Sequence, residues 1–428
     1  MRPSRNLIST AATTVLATVL FGAGPALGAG PKTFFDLLDR AWAVGELRLS
    51  TALEYRDGRL LAFPAHLTDL VHARLGKPRT LMIVHERNPA DSEPFLKEGD
   101  QFLAAVGVLP DHSYWRDNLP VTKRHEILGG RRYVFKSSDP AAMETAKAIA
   151  GAYTATLALG MPERARRQAG VMVDALLSGV PVLAEDGLRA LLRPPRLARD
   201  LDGASVARLA AFLSDDSADP AVRGRLALAA GEQGADSFVT VLEKLAGRDG
   251  AVAAAALAGL DHLGRARPTA GLLSLLEADA LELRIYAAET LGARAGADQA
   301  AMTAAVDLLA PQVEVESRLA AARGLGTSAS PRAIDSLAEA LSRGDAVTRT
   351  AAMGLARIGG PRVHGLLKEA ITDGPGETMV ASVMAMVSLR DECADCLVFL
   401  AEQHDSHKES AVREMIAIML ELQKKHEH

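Results

Sequence analysis

Seven nine-residue cores recur along the second half of the chain: VRGRLALAA from Val222, VAAAALAGL from Val252, LRIYAAETL from Leu283, SRLAAARGL from Ser317, VTRTAAMGL from Val347, MVASVMAMV from Met379 and VREMIAIML from Val412. Their starts are separated by 30, 31, 34, 30, 32 and 33 residues. A short period of this kind is the signature of stacked supersecondary units. Apolar residues occupy relative positions 1, 5, 6 and 9, which share one face of a helix. The middle of that face is small, as at Ala287/Ala288, Ala321/Ala322 and Ala351/Ala352, which permits neighbouring helices to approach closely.

The intervals between cores have room for a second helix. PTAGLLSLLEA from Pro268, PRAIDSLAEAL from Pro331 and PRVHGLLKEAI from Pro361 each open on proline, whose fixed φ suits a first helical turn. Asp249-Gly250 and Gly344-Asp345 then break the chain before the next core. Each unit reads as helix, turn, helix, turn. One such pair cannot bury its apolar face alone, so the units must stack around a shared core.

The Arg at position 2 of the cores (Arg223, Arg284, Arg318, Arg413), the central Ala pair and the terminal GL or LG resemble the HEAT family, in particular its short phycobilisome-lyase-like units. The likeness runs from about Ser205 to Leu422. It departs from the family in unit length, usually about 40 to 47 residues, and in the unit from Val252, which has no Arg. Tetratricopeptide and ankyrin patterns are absent.

Eleven of the 17 Phe, Trp and Tyr residues lie between Phe34 and Phe135, and only five follow Phe135. Strands favour aromatic and β-branched residues whereas stacked helices favour Ala and Leu, so a β-rich domain precedes an all-helical one. After a short helix at FFDLLDRAW, GELRLSTALEY and RLLAFPAHL alternate with period two (Leu47, Leu49; Leu61, Phe63, Ala65, Leu67) on either side of Asp57-Gly58, a hairpin signal. TLMIVHE from Thr80, DQFLAAVGVL from Asp100 and RRYVFKS from Arg131 are further strand candidates, enough for a small barrel or sandwich. FLKEGDQFLAAV is similar to a strand pair of OB-like barrels and netrin-like modules. From Asp139, which caps, and Pro140, a helix presents Met143, Ala146, Ile149, Ala150, Tyr153 and Leu157 on one stripe; a second runs from Pro162 to Leu177.

The fold class expected is α+β overall and mainly α. Residues 1–29 read as a signal peptide, 30–137 as a β-rich, OB-like domain, 138–204 as a helical connector or N-terminal cap, and 205–428 as a solenoid of six or seven units. The leader reading rests on Arg2 and Arg5, the apolar run Leu7 to Ala23 and the small residues ending near Gly28. It predicts a periplasmic or extracellular protein with no stable membrane span after cleavage. Residues 138–428 carry 30 basic against 39 acidic side chains. An acidic balance argues against a nucleic-acid partner, which requires a basic face. TKRHEILGGRR, Thr122 to Arg132, concentrates positive charge and reads as a solvated hairpin rather than an anion site.

Chemistry-bearing motifs are sparse. ECADCLVFLAEQHDSH holds Cys393, Cys396, His404 and His407, but eight residues of continuous helix span about 12 Å, too far for one ion to join Cys396 to His404. Cys393 and Cys396 are first a disulfide candidate, with a redox-active pair and two free buried thiols as competing readings. Deoxyhypusine hydroxylases, HEAT-built enzymes, hold iron with His-Glu pairs on repeat helices. Here His85-Glu86 falls on an expected strand, His125-Glu126 in the hairpin and His426-Glu427 in the tail, so that site does not carry over. His262 and His364 recur at repeat positions and read as solvated or satisfied by a neighbour. No catalytic residue, metal or cofactor is assigned.

The function expected is non-catalytic: an exported scaffold whose solenoid binds a protein or peptide ligand. The HEAT resemblance implies that second helices line the binding face, offering Ser237, Thr240, Ser274, Asp335 and His364. The β domain would be a second contact module or a positioning arm. The alternatives are a thiol-redox protein using Cys393 and Cys396, or a lyase-like enzyme built on the same repeats.

Overall fold

Alternating apolar residues close into a barrel near the N-terminus. The computed structural model describes residues 32–55, 59–86, 95–109, 124–248, 250–389 and 392–426. The leader, Asp57-Gly58, Thr122, Asp249, Arg390 and Glu427 therefore lie outside the described residues. The described chain forms two compact units, one of residues 32–215 and 233–238, the other of residues 216–232 and 239–426.

In the first unit, β1 (Ala43–Leu49) lies between β3 (Leu60–Ala73) and β5 (Gln101–Val108), antiparallel to both. β3 continues to β4 (Thr80–Glu86) antiparallel, β4 to β6 (Arg124–Ile127) parallel, and β6 to β5 antiparallel. The ring β1-β3-β4-β6-β5 thus closes on itself, which removes exposed edges. Two short strands add at its margins, β2 (Leu53–Tyr55) on β3 and β7 (Phe135–Lys136) on β5. Leu47, Leu49, Leu61, Phe63, Ala65, Ile83, Phe102, Ala104 and Val106 fill the interior, the period-two set of the sequence. Gly45 marks a register shift in β1; a Cβ there would lie 2.4 Å from the Asp69 carbonyl oxygen, so only glycine admits the neighbouring strand.

Three expectations for this unit need correction. GELRLSTALEY is two strands rather than one, since β1 ends at Leu49 and β2 begins at Leu53. Arg124–Ile127, read as part of a solvated hairpin, is the strand that closes the barrel, with His125 buried against Trp42. RRYVFKS opens in a 3-10 turn, Gly130–Tyr133, and only Phe135–Lys136 of it forms a strand, β7. Gly129 and Gly130 both take positive φ (76° and 60°) and turn the chain before a strand can form.

Among the described residues, six α-helices complete the unit. α1 (Phe34–Leu38) is closed by a reciprocal capping box between Thr33 and Asp36. α2 (Pro140–Ala155) is capped by Asp139 and buries Met143, Ala146, Ile149, Ala150 and Tyr153. It packs on β3, β5 and β7, which explains why β5 buries Leu103 and Ala105 as well as its barrel-facing residues. Lys147 of α2 reaches Glu46 of β1 at 2.6 Å and Asp69 of β3 at 2.5 Å, pinning the helix to the barrel wall. α3 (Glu163–Leu176) and α4 (Pro181–Leu191) pack as a pair, followed by α5 (Arg196–Arg199) and α6 (Gly203–Ser214).

The second unit is a two-row helical stack. The first row is α7 (Pro220–Glu232), α9 (Ala251–His262), α11 (Leu281–Arg294), α13 (Val315–Thr327), α15 (Thr348–Ile358), α17 (Gly376–Ser388) and α19 (Ser410–His426). The second row is α8 (Val239–Ala246), α10 (Thr269–Leu275), α12 (Gln299–Asp307), α14 (Ile334–Ser342), α16 (Gly360–Asp373) and α18 (Ala394–Ser406). All seven repeated cores fall on first-row helices, the core from Val347 starting at the N-cap of α15. Successive first-row helices pack on one another, and those from α9 onward also pack on second-row neighbours, the contact plan of stacked helical hairpins. Pro268 caps α10, Pro331 opens a 3-10 turn into α14, and Pro361 lies in the first turn of α16. No described helix is long and apolar enough to cross a membrane.

Candidate functional site

The two rows differ in what they leave exposed. α9 buries every residue from Ala253 to Leu260, and α11 buries Leu283, Ile285–Glu289, Leu291 and Gly292. α10 buries only Leu272, and α16 only Val363, Leu367 and Ile371. The first-row helix α9 is flanked on several sides and keeps no exposed residue, and α11 is buried along most of its length. A second-row helix keeps one apolar stripe inward and presents the rest to solvent.

Thr240 on α8, Ser274 on α10 and Asp335 on α14 are exposed on that second row, and His364 is half-buried on α16. Ser237 is exposed too, but it sits in the 3-10 turn Asp236–Phe238, which belongs to the barrel-containing unit. Asp335 pairs with Arg362 of α16, and the Ser274 hydroxyl donates to the Ala270 carbonyl oxygen at 3.1 Å. Between α14 and α16 runs a cleft of about 340 Å³ whose walls are Ala338, Leu341, Leu366, Glu369 and Asp373, apolar at the base and acidic at the side.

Ionic ties hold the rows at a fixed spacing. Arg284 grips Glu314, ahead of α13, through two hydrogen bonds of 2.8 Å, and donates also to the carbonyls of Ala278 and Asp279. Arg318 reaches Asp345 ahead of α15, Arg223 reaches Asp216 at 2.9 Å, and Arg413 reaches the His407 carbonyl. The position-2 arginines of the cores therefore clamp inter-helix loops. Deeper in the first row, Glu289 is 5% exposed and receives Arg323 at 3.1 Å. Burial pushes its carboxyl above the usual glutamate range despite the cation. Asp261 accepts the Tyr286 hydroxyl at 2.7 Å, and burial likewise pushes its carboxyl up. In the barrel-containing unit Asp186 of α4 is fully buried and accepts the Phe34 amide at 2.6 Å, while Arg193 holds Asp36 through bonds of 2.7 and 2.8 Å. The Arg193 guanidinium keeps the Asp36 carboxyl well below the usual aspartate range. None of these buried acids was singled out from the sequence, because their partners are distant in the chain and nothing local marks them.

Cys393 and Cys396 are joined by a disulfide at the start of α18, Cys393 being the N-cap residue. Cys396 is fully buried, and Cys393 (7% exposed) borders a cleft of about 410 Å³ with Gly360, Pro361, His364, Glu392 and Asp395. A ring nitrogen of His364 and both sulfurs lie within 4.8 Å of one another. The two histidines that follow the cysteines in sequence are engaged elsewhere. His404 is exposed and contacts Asp405 at 2.8 Å; the buried His407 meets the Ile371 carbonyl at 2.9 Å through Nε2, and its Nδ1 accepts the Glu409 amide at 3.0 Å. The stack thus brings together His364 and the two cysteines, three residues that the sequence reading kept in separate roles. His85 lies on β4, His125 on β6 and His262 near the end of α9, each in a different part of the fold.

Residues 304–387, from α12 to α17, match the family model of HEAT repeats. No curated protein matches the chain.

Proposed function

From a chain that carries HEAT repeats over residues 304–387, we propose a non-catalytic scaffold whose second-row face binds a protein or peptide ligand. The observation that carries this reading is the asymmetry between the rows: α9 has no exposed residue, whereas α10, α14 and α16 bury an inward stripe and carry exposed residues on the other side, at a spacing held by the arginine clamps. A surface of that kind suits an extended partner rather than a small substrate. Glu369 and Asp373 beside the apolar base of the α14–α16 cleft favour a basic segment of the partner. The five-strand ring with one parallel pair supports an OB-like barrel as a second contact module. Arg2, Arg5 and the run from Leu7 to Ala23 support export to the periplasm or beyond.

Photo-crosslinking side chains placed at Ser274, Asp335 and, as control, Arg349 test the reading in the native host. A shared adduct from Ser274 and Asp335 but not from Arg349, which is exposed on the first-row helix α15, is expected. Adducts from Arg349 alone would overturn it.

A second reading, thiol–disulfide exchange at Cys393–Cys396, is favoured by the open cleft that Cys393 borders. A pair that stays oxidised under mild reducing conditions removes it.

A further inference from the structure

We propose that reduction of the Cys393–Cys396 disulfide creates, with His364, a three-ligand site for a divalent ion of zinc type. The donor set is two sulfurs and one imidazole, the combination zinc prefers over hard oxygen-seeking cations. Zinc bonds of about 2.3 Å to sulfur and 2.0 to 2.1 Å to nitrogen place donors of one tetrahedron roughly 3.5 to 3.8 Å apart. The three donor atoms already lie within 4.8 Å of one another, so side-chain rotation alone brings them into range once the S–S bond opens. The Cα atoms of the cysteines stand 5.3 Å apart, and that separation needs no backbone change for two thiolates to face one ion.

Two further observations point to an occupant. The Nε2 of His364 is shut off from solvent with no hydrogen-bond partner, although a buried polar nitrogen ordinarily has one. The cleft of about 410 Å³ bordered by Cys393 and His364 gives an ion a way in, and Glu392 and Asp395 also line it. The peptide dipole at the start of α18 favours both cysteines as thiolates, the form that binds metal.

The chemistry balances with a dithiol or phosphine reductant. Two electrons and two protons convert the disulfide to two thiols: a dithiol supplies both and becomes a disulfide, whereas a phosphine supplies the electrons and becomes the phosphine oxide, with one water giving the oxygen and the two protons. The ion then displaces both thiol protons to solvent, so uptake is tighter at higher pH. Oxidation reverses the sequence, because a disulfide offers no thiolate. The site is therefore open only in the reduced chain.

The test uses the full chain, disulfide-intact or reduced with a phosphine, and two probes: Zn²⁺ in competition with a chromophoric chelator, and Co²⁺ read by its absorption. The reduced chain is expected to take up one equivalent more than the oxidised chain and to show the near-ultraviolet thiolate-to-cobalt band with intense tetrahedral visible bands. His364→Ala should weaken Zn²⁺ binding at least tenfold, and His364→Cys should restore it with a stronger thiolate band. Cys396→Ser should abolish the redox difference. Equal uptake by the two redox states would overturn the proposal, as would Co²⁺ uptake without the thiolate band. So would unchanged affinity in His364→Ala whose helical circular dichroism matches the parent chain.

Discussion

A Cβ placed on Gly324 of α13 would lie 2.2 Å from the Glu289 carbonyl oxygen and 2.9 Å from the Gly292 Cα of α11, whereas one placed on Gly365 of α16 would meet nothing within 4 Å. Both glycines sit inside helices of the same stack. In the first row, residue identity is dictated by the neighbouring backbone, and glycine and alanine are kept because nothing larger fits. In the second row only the inward stripe is dictated by packing. The outer face is left to be specified by something other than the fold, which is why function is sought there.

Substitution of Gly324 by Val attacks the comparison at its strongest point. Helix propensity alone favours any residue over glycine by up to about 1 kcal/mol. Against it, the two helix backbones in contact must separate, opening voids around Ala320, Ala321, Ala322 and Leu325, which are fully buried. Loss of about 3 kcal/mol or more is expected, seen as a lowered urea midpoint of the helical signal for the full chain. An unchanged midpoint would mean that the first row slides freely, and the distinction between the rows would fall.

Arg284→Ala probes the clamps that fix the spacing. Its guanidinium makes two bonds to the Glu314 carboxylate and two to carbonyls, and the pair is partly exposed, with the side chains at 25% and 33%. A loss of about 1 to 2 kcal/mol is expected after solvent screening. Arg284→Lys should recover less than half, because an ammonium cannot make the bidentate contact. Full recovery by lysine would reduce the clamp to a simple charge effect.

The row cores, their starts and the prolines that open second helices were legible in the sequence because a repeat shows the same constraint many times over. The arginines at position 2 were visible as a pattern but not as clamps. Their partners stand at differing intervals, Glu314 thirty residues after Arg284, Asp345 twenty-seven after Arg318 and Asp216 seven before Arg223, so the period hides them. The meeting of His364 with the disulfide carried a signal that was not used: His364 and Cys396 stand 32 residues apart, one repeat, and stacking places equivalent positions side by side. β6 was lost because a four-residue strand bearing Arg124 and Glu126 has no period of its own and is recognised only by the strands it joins. Asp186 offers no local clue either, since it accepts from the Phe34 amide, 152 residues away, and from Arg132, 54 residues away.

Glu289 sharpens the comparison through pH, with a smaller effect than the clamp. It is an ionisable group only 5% exposed, and burial raises its folded pKa above the unfolded value. The destabilising contribution of the charged carboxylate is then fully present above the folded pKa. It is relieved as pH falls through the folded pKa towards the ordinary glutamate value, where the unfolded chain protonates as well. The stability difference between the parent chain and Glu289→Gln should therefore shift in favour of the parent as pH is lowered across that window, measured by urea unfolding at successive pH values. A difference independent of pH would show that Arg323 offsets the burial completely.

The smallest effect has the opposite sign. Gly365 lies inside α16 on its exposed side, its φ is not left-handed, and an added Cβ has open space around it. Alanine there gains helix propensity and narrows the unfolded ensemble without touching a neighbour, so Gly365→Ala should stabilise the chain by about 0.5 to 1 kcal/mol. The Cβ that has no room at Gly324 of the first row would thus strengthen the second at Gly365, although both positions are helical glycines in one array. A destabilising Gly365→Ala, measured in the same urea series, would place an unrecognised backbone contact on the outer face of α16. That face would then be dictated by packing after all, and the second row would lose its claim to be the surface left free for a partner.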